Sequence, residues 1–173
     1  MSVFMPDLML RDVTRIDKAL LDANGLRGLI LDVDNTLTEH GSQHIRPQVE
    51  RWLLSMSEQG IRLIIVSNNT RSRVEPFAQR LGLAFVAMGC KPLTLGFSRA
   101  QSQLGLTAGE IGVVGDQIYT DVVGGHLKGM YTILVTPLLL EDKAFFKLKR
   151  SLETIHIRAY CRRKGISFAA RRG

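Results

Sequence analysis

The chain has 173 residues and a formal net charge of +7, a length that suits one domain with a core of its own. Its two cysteines, Cys90 and Cys161, make neither the paired framework of a small secreted scaffold nor a Cys-x-x-Cys metal or redox motif. The first ten residues lack a basic leader and are broken by Pro6 and Asp7. No apolar run nears the ~18 residues of a membrane span, so the expectation is a cytoplasmic protein, soluble or peripheral on the inner face of the membrane. The charge is unevenly placed: residues 1–136 hold 13 Lys and Arg against 13 Asp and Glu, whereas residues 137–173 hold 10 against 3. That asymmetry points to an anionic surface as partner of the C-terminal segment.

Short apolar runs alternate with amphipathic stretches. Strands are predicted at residues 29–31, 63–66, 84–88, 111–114 and 132–135, and helices at 47–59, 74–81, 94–104 and 122–128. Gly60, Gly82 and Gly105 stand where helices stop, and Pro47 and Pro92 where helices open. Thr107 with Glu110 matches a capping box. The pattern predicts an α/β, Rossmann-like three-layer fold with a central parallel sheet of about five strands, wound by right-handed crossovers. Residues 1–140 form this domain, and residues 141–173 a basic amphipathic tail.

Ligands of such sheets bind at the carboxyl ends of the strands, and polar chemistry collects there. Asp32 and Asp34 follow the first predicted strand, Ser67, Asn68, Asn69 and Thr70 the second, Cys90 and Lys91 the third, and Gly115, Asp116 and Asp121 the fourth. Two carboxylates one residue apart repel unless they share a proton or a cation. Together these groups suit hydrolysis of a phosphate monoester. One carboxylate attacks phosphorus, and a second handles the proton of the leaving alcohol and of water. A hard cation, Mg2+, takes oxygen ligands, while Lys91, Ser67 and Asn68 hold phosphoryl oxygens. His40 and His44 are read as loop residues, and His126 and His156 as histidines with no evident partner.

The order Asp32-x-Asp34-x-Thr36, Ser67, Lys91, then Gly115, Asp116 and Asp121 resembles the four motifs of the haloacid dehalogenase superfamily of phosphatases. The resemblance implies that Asp32 is the nucleophile, Asp34 the general acid and base, Ser67 a phosphate ligand and Lys91 the charge anchor. Mg2+ would be held by the Asp32 carboxylate, the Asp34 backbone carbonyl and Asp116, with Asp121 supporting the metal shell or Lys91. A receiver-type phosphoacceptor domain uses similar groups in a different order, with its Lys after the fifth strand. The opening Pro6, Asp7, Leu8 and the segments 28–38, 115–121 and 124–132 are similar to one capless branch, the YqeG-type proteins and phosphatidylglycerophosphate phosphatases. Membership implies removal of the terminal phosphate of phosphatidylglycerophosphate.

Residues 39–66 and 69–90 are each filled by one helix and one strand, leaving no room for an inserted cap. An uncovered site suits a large substrate, one presented by a surface, or a cap lent by another subunit of an oligomer. On a helical wheel Phe145, Leu148, Leu152, Ile155 and Ala159 fall on one stripe, with Lys143, Lys147, Arg150 and Arg158 away from it, a pattern suited to an anionic bilayer. Two other readings stand beside the lipid phosphatase. One is a soluble phosphatase of a small phosphorylated metabolite; the other is an RNA or ribonucleoprotein binder with a secondary phosphatase site. Nucleic acid is disfavoured because the basic tail lacks interleaved aromatic residues for stacking.

Overall fold

A computed structural model describes residues 2–139 and 144–165, the side chains of 144–150 excepted. Six parallel strands form one sheet: β1 (Leu8–Leu10), β2 (Gly28–Leu31), β3 (Arg62–Val66), β4 (Ala84–Val86), β5 (Ile111–Gly115) and β6 (Tyr131–Val135). Their spatial order is β1-β6-β5-β2-β3-β4. The chain winds outward from β2 through β3 to β4, then returns to place β5 on the other side of β2. The order therefore reverses between β2 and β5, where Leu31 pairs with Val114 and the Asp32 N–H extends the ladder to Val114 O at 2.9 Å. A crevice opens at such a switch point.

Alternation along β2 divides the core. Leu29 and Leu31 face one side, packed with Trp52, Leu53, Val74 and Phe77 from α2 (Pro47–Glu58) and α3 (Arg71–Arg80). On this side lies also Leu21 of α1 (Lys18–Ala23), and Trp52 Nε1 donates to Ile16 O at 2.7 Å. Ile30 faces the other side, with Phe97, Ala100 and Leu104 of α4 (Thr94–Leu104). Beyond β5, a π-helical turn (Ile118–Val122) leads into α5 (Val123–Leu127), and α6 (Ala144–Lys164) closes the edge at β6 and β1. Among the described residues no cap domain stands over the sheet.

Some local expectations change. β1 adds a sixth strand, paired in register with β6 from Leu8 and Ile133 to Leu10 and Val135. Its preceding residue holds it there: Asp7 Oδ2 accepts the Thr132 N–H at 2.8 Å, Thr132 Oγ1 at 2.9 Å and bonds His126 Nε2 at 3.0 Å. His126 is thus partnered, and His156 stacks on Phe4. Pro47 opens α2 at its first turn, but α4 begins at Thr94, and Pro92 follows Lys91 through a cis peptide bond ahead of it. The Thr107–Glu110 capping box is formed, on the short turn Ala108–Glu110.

α6 packs on the sheet through a face that the helical wheel did not single out. Its buried face is Glu153, Ile157, Tyr160 and Cys161, packed around Ile118, Val122, Leu134, Met5 and Met9. Leu152 and Ile155 of the expected stripe are 47% and 61% exposed. The side chains of Phe145, Leu148, Lys147 and Arg150, and all of Lys143, lie outside the described residues. The helix descends from the carboxyl edge of the sheet, where Glu153 meets Ile118, to the amino edge, where Arg163 and Lys164 line a cavity with Met5, Asp7 and Tyr131. At 1.5 Å per residue that is a span of about 15 Å.

Candidate active site

Each strand that ends at the crevice delivers a polar side chain. β2 delivers Asp32, whose residue lies at the sheet's midpoint; β5 delivers Asp116 and, through the π-helical turn, Asp121. Carboxylate oxygens of these three buried aspartates lie within 4.8 Å of one another. Lys91 comes from the far side, after β4, and its Nζ donates to Asp32 Oδ1 at 2.5 Å and to Asp121 Oδ1 at 2.7 Å. Gly115 makes the approach of Asp121 feasible, because a Cβ there would stand 2.2 Å from Asp121 Cγ.

The loop that carries Lys91 is tightly held. Asn68 spends its side-chain amide on the Lys91 backbone, accepting the N–H at 2.6 Å and donating to the carbonyl at 3.0 Å. Gly89 N–H donates to Ser67 O at 2.9 Å. The first turn of α4 presses on the same loop, and a Cβ at Gly96 would lie 2.5 Å from Gly89 O. Met88 and Cys90 adopt positive φ in this stretch, a conformation that costs non-glycine residues energy and persists where the surroundings impose it.

Burial and charge set the protonation. Burial pushes the Asp32 carboxyl up to about 8; Lys91 works against that rise, and Asp121 and Asp116 add to it. For Lys91 burial works to lower the value, yet Asp121 and Asp32 outweigh it and the ammonium is held charged well above its usual range. Three carboxylates facing one lysine leave an excess of acidic groups in a largely buried site. All-oxygen donors at this separation fit a hard divalent cation such as Mg2+, which would offset that excess.

Asp34 is not among the clustered carboxylates. Its Oδ2 accepts from Asn69 Nδ2 at 2.5 Å, and its Oδ1 from the Gly41 N–H at 2.7 Å and Arg73 at 3.3 Å. His40 stands 3.9 Å from the same oxygen. Gly41 belongs to the loop between β2 and α2, pinned by bridges from Asp34 to Thr38 and from Thr38 to Ile45. Ser67 is buried, with its Oγ accepting the Asn69 N–H at 3.1 Å. The described structure therefore brings Asp32, Lys91, Asp116 and Asp121 into one cluster, with Asp34, Ser67 and Asn68 around it in separate contacts.

Arg73 and Asn69 as partners of Asp34 were not anticipated. α3 begins at Arg71, earlier than its apolar periodicity suggests because its first turn is polar, and this start carries Arg73 toward Asp34. The signal available in the sequence was Thr70, an N-cap residue type ahead of that turn. Glu153, buried under the π-helical turn, was also missed, and nothing local in the sequence separates it from the solvated charges of a basic helix.

Comparison with known proteins gives the chain its relatives. The mitochondrial PGP phosphatase family model matches residues 1–80, and the HAD-hydrolase-like family model matches residues 89–137. The probable phosphatase YqeG of Bacillus subtilis is 36% identical over 162 residues, covering 94% of each chain. The chloroplastic phosphatidylglycerophosphate phosphatase 1 of Chlamydomonas reinhardtii is 28% identical over 83% of this chain, which spans 57% of that protein's length. The cobalt-bound deoxy-D-mannose-octulosonate 8-phosphate phosphatase of Haemophilus influenzae has a TM-score of 0.54 at 15% identity, over 79% of this chain and 90% of that one, a likeness of fold. With its acidic cluster at the sheet's switch point and that identity to YqeG along nearly its whole length, the chain belongs to the YqeG-type phosphatases of the haloacid dehalogenase superfamily.

Proposed function

We propose that the chain removes the terminal phosphate of phosphatidylglycerophosphate through a phosphorylated Asp32, and that it does so at a membrane surface. The observation that carries the mechanism is Asp32 itself. It is largely buried at the switch point, with its Oδ1 2.5 Å from an ammonium that can also hold a phosphoryl oxygen. Attack by an Asp32 oxygen on phosphorus forms the P–O bond of an acyl phosphate and expels the substrate alcohol; water then attacks the same phosphorus and releases phosphate. Lys91 and Ser67 hold the transferred phosphoryl group, together with the Asn68 backbone N–H, since the Asn68 side chain is engaged with Lys91.

Asp34 supplies the proton to the leaving oxygen and afterwards takes one from water. In the substrate-free geometry its side chain accepts from Asn69, Gly41 and Arg73, which hold it beside the site. Mg2+ would be held by Asp32, the Asp34 carbonyl and Asp116, and supplies relief of repulsion between nucleophile and substrate. Asp116 is preferred over Asp121 as direct ligand because both Asp121 oxygens already accept donors, Lys91 on one and the Gln117 N–H on the other.

Three observations support a lipid over a small metabolite. No cap covers the described site, the relatives matched include phosphatidylglycerophosphate phosphatases, and Met88, Leu93 and Leu95 lie exposed beside Lys91. Among the described residues no helix is long and apolar enough to cross a membrane; the bilayer contact proposed here is peripheral. The basic end of α6, Arg162 to Lys164, lies toward the amino edge. We read the bilayer contact as lying at the carboxyl edge, where the site opens, through the exposed Leu152, Ile155, Met88, Leu93 and Leu95.

The test is phosphate release from phosphatidylglycerophosphate in anionic mixed micelles, beside water-soluble phosphomonoesters. Release at least about tenfold faster from the lipid supports the reading. Preference for a soluble ester overturns the substrate while leaving the phosphatase.

A further inference from the structure

The C-terminal helix is tied directly into the segment that carries two of the clustered aspartates. Glu153 sits on the inward face of α6, 1% exposed, with Ile157, Tyr160 and Cys161 following on the same face. A carboxylate in such surroundings is kept where a hydrogen bond satisfies it. Its Oε1 accepts the Ile118 N–H at 2.7 Å.

Ile118 opens the π-helical turn Ile118–Val122. The first N–H groups of a helical turn have no carbonyl within it to bond, and two carboxylates take that place here. Asp121 Oδ2 accepts the Gln117 N–H at 3.2 Å, and Glu153 accepts the next amide along. Gln117 O is shared between the N–H groups of Asp121 at 3.0 Å and Val122 at 3.4 Å, so the turn stands between α and π spacing. A contact from outside the turn is what can select one. Inserted turns of this kind recur at functional sites. Relaxation of this one would shift Asp121, and with it the Lys91 ammonium 2.7 Å away.

We infer that Glu153 is a positioning residue for the phosphatase reaction: by holding the Ile118 N–H, it fixes the segment from Asp116 to Asp121 and so the placement of Lys91. The inference rests on the catalytic roles given above to Asp116, Asp121 and Lys91, and is independent of whether the substrate is a lipid. It makes α6 part of the active-site scaffold, whatever else its outer face contacts.

The test uses the full chain with Glu153→Ala, Glu153→Gln and Ile157→Ala. Glutamine keeps an oxygen that can accept the Ile118 N–H, and Ile157→Ala loosens the helix without touching that bond. Three readouts are taken: hydrogen exchange at the Ile118 amide without metal, the Mg2+ concentration that half-saturates the rise in melting temperature, and kcat and KM for p-nitrophenyl phosphate. Glu153→Ala is expected to speed Ile118 exchange about tenfold or more, to raise the Mg2+ midpoint, and to lower kcat at least about tenfold with KM within about twofold. Glu153→Gln restores most of each, and Ile157→Ala lowers stability while leaving all three near wild type.

The inference is overturned if Glu153→Ala leaves Ile118 exchange and kcat within twofold of wild type, or if Ile157→Ala reproduces its losses at matched stability. Should Glu153→Ala fail to fold, a folded Glu153→Gln that loses Ile118 protection overturns it, and one that keeps protection and kcat supports it. A wild-type chain that turns over p-nitrophenyl phosphate but not phosphatidylglycerophosphate removes the lipid reading alone.

Discussion

Lys91 and Asp121 meet as a buried ion pair, 2.7 Å from Nζ to Oδ1, the lysine arriving after β4 and the aspartate after β5 on the opposite side of β2. The pair spans the switch point, and Asp32 lies under it within reach of the same ammonium. A buried charge that loses its partner is strongly destabilising, by about 3–5 kcal/mol. Here the lysine offsets several carboxylates at once, so its removal acts on fold and chemistry together.

Lys91→Met therefore lowers stability by about 3–5 kcal/mol in urea unfolding at pH 7.5 without metal and lowers kcat by at least about a hundredfold. A variant as stable as the parent at pH 7.5 would mean that the carboxylates do not depend on Lys91.

Metal removal exposes the raised value of Asp32. A carboxyl whose folded value lies above its ordinary 3.8, here about 8, binds its proton more tightly in the folded state than in the unfolded chain. Between those values stability therefore falls as pH rises, the reverse of a salt-bridged carboxylate. Without metal, the melting temperature of the parent falls from pH 5 to pH 8.5, and Asp32→Asn flattens that fall. Millimolar Mg2+ raises the parent's melting temperature most at the alkaline end. An Asp32→Asn profile as steep as the parent's would contradict the assignment.

A second pH dependence lies at the N-terminal edge. Hydrogen bonding to Asp7 raises His126, while for Asp7 the bonds from His126 and Thr132 outweigh the upward push of burial and lower its value. The histidine's contribution is complete below its ordinary 6.5 and fades as pH rises through its folded value; the aspartate's is complete above 3.8 and fades as pH falls through its own. Both are present between those limits. The urea midpoint lost in Asp7→Asn is thus larger at pH 5.5 than at pH 8.5, and equal losses would show that His126 carries no charge in the pair.

The clustering of Asp32, Lys91 and Asp116 was legible because these residues follow strands. Asp32, Lys91 and Asp116 each stand just past an apolar run, and a parallel sheet brings such positions to one edge whatever the exact register. β1 was not legible: three residues between turns carry no periodicity, and what holds them is Asp7 bonded to His126 and Thr132, about 120 positions away. The face of α6 that packs on the sheet was not legible, because a helical wheel counts apolar residues and singled out the stripe with Leu152 and Ile155, which stays exposed. The sheet edge instead takes Ile157, Tyr160 and Cys161, together with the carboxylate of Glu153. Arg73 stayed hidden because its polar turn reads as loop until the tertiary fold sets it against Asp34.

The most direct measurement is of where the phosphoryl group goes. The chain is mixed with Mg2+ and phosphatidylglycerophosphate in anionic mixed micelles, quenched in acid within the first turnover, and mapped by peptide mass. The account predicts phosphate on the peptide containing Asp32, absent from Asp32→Asn, which also releases no phosphate. Phosphate release with Asp32 unmodified throughout, or release sustained by Asp32→Asn, would contradict it.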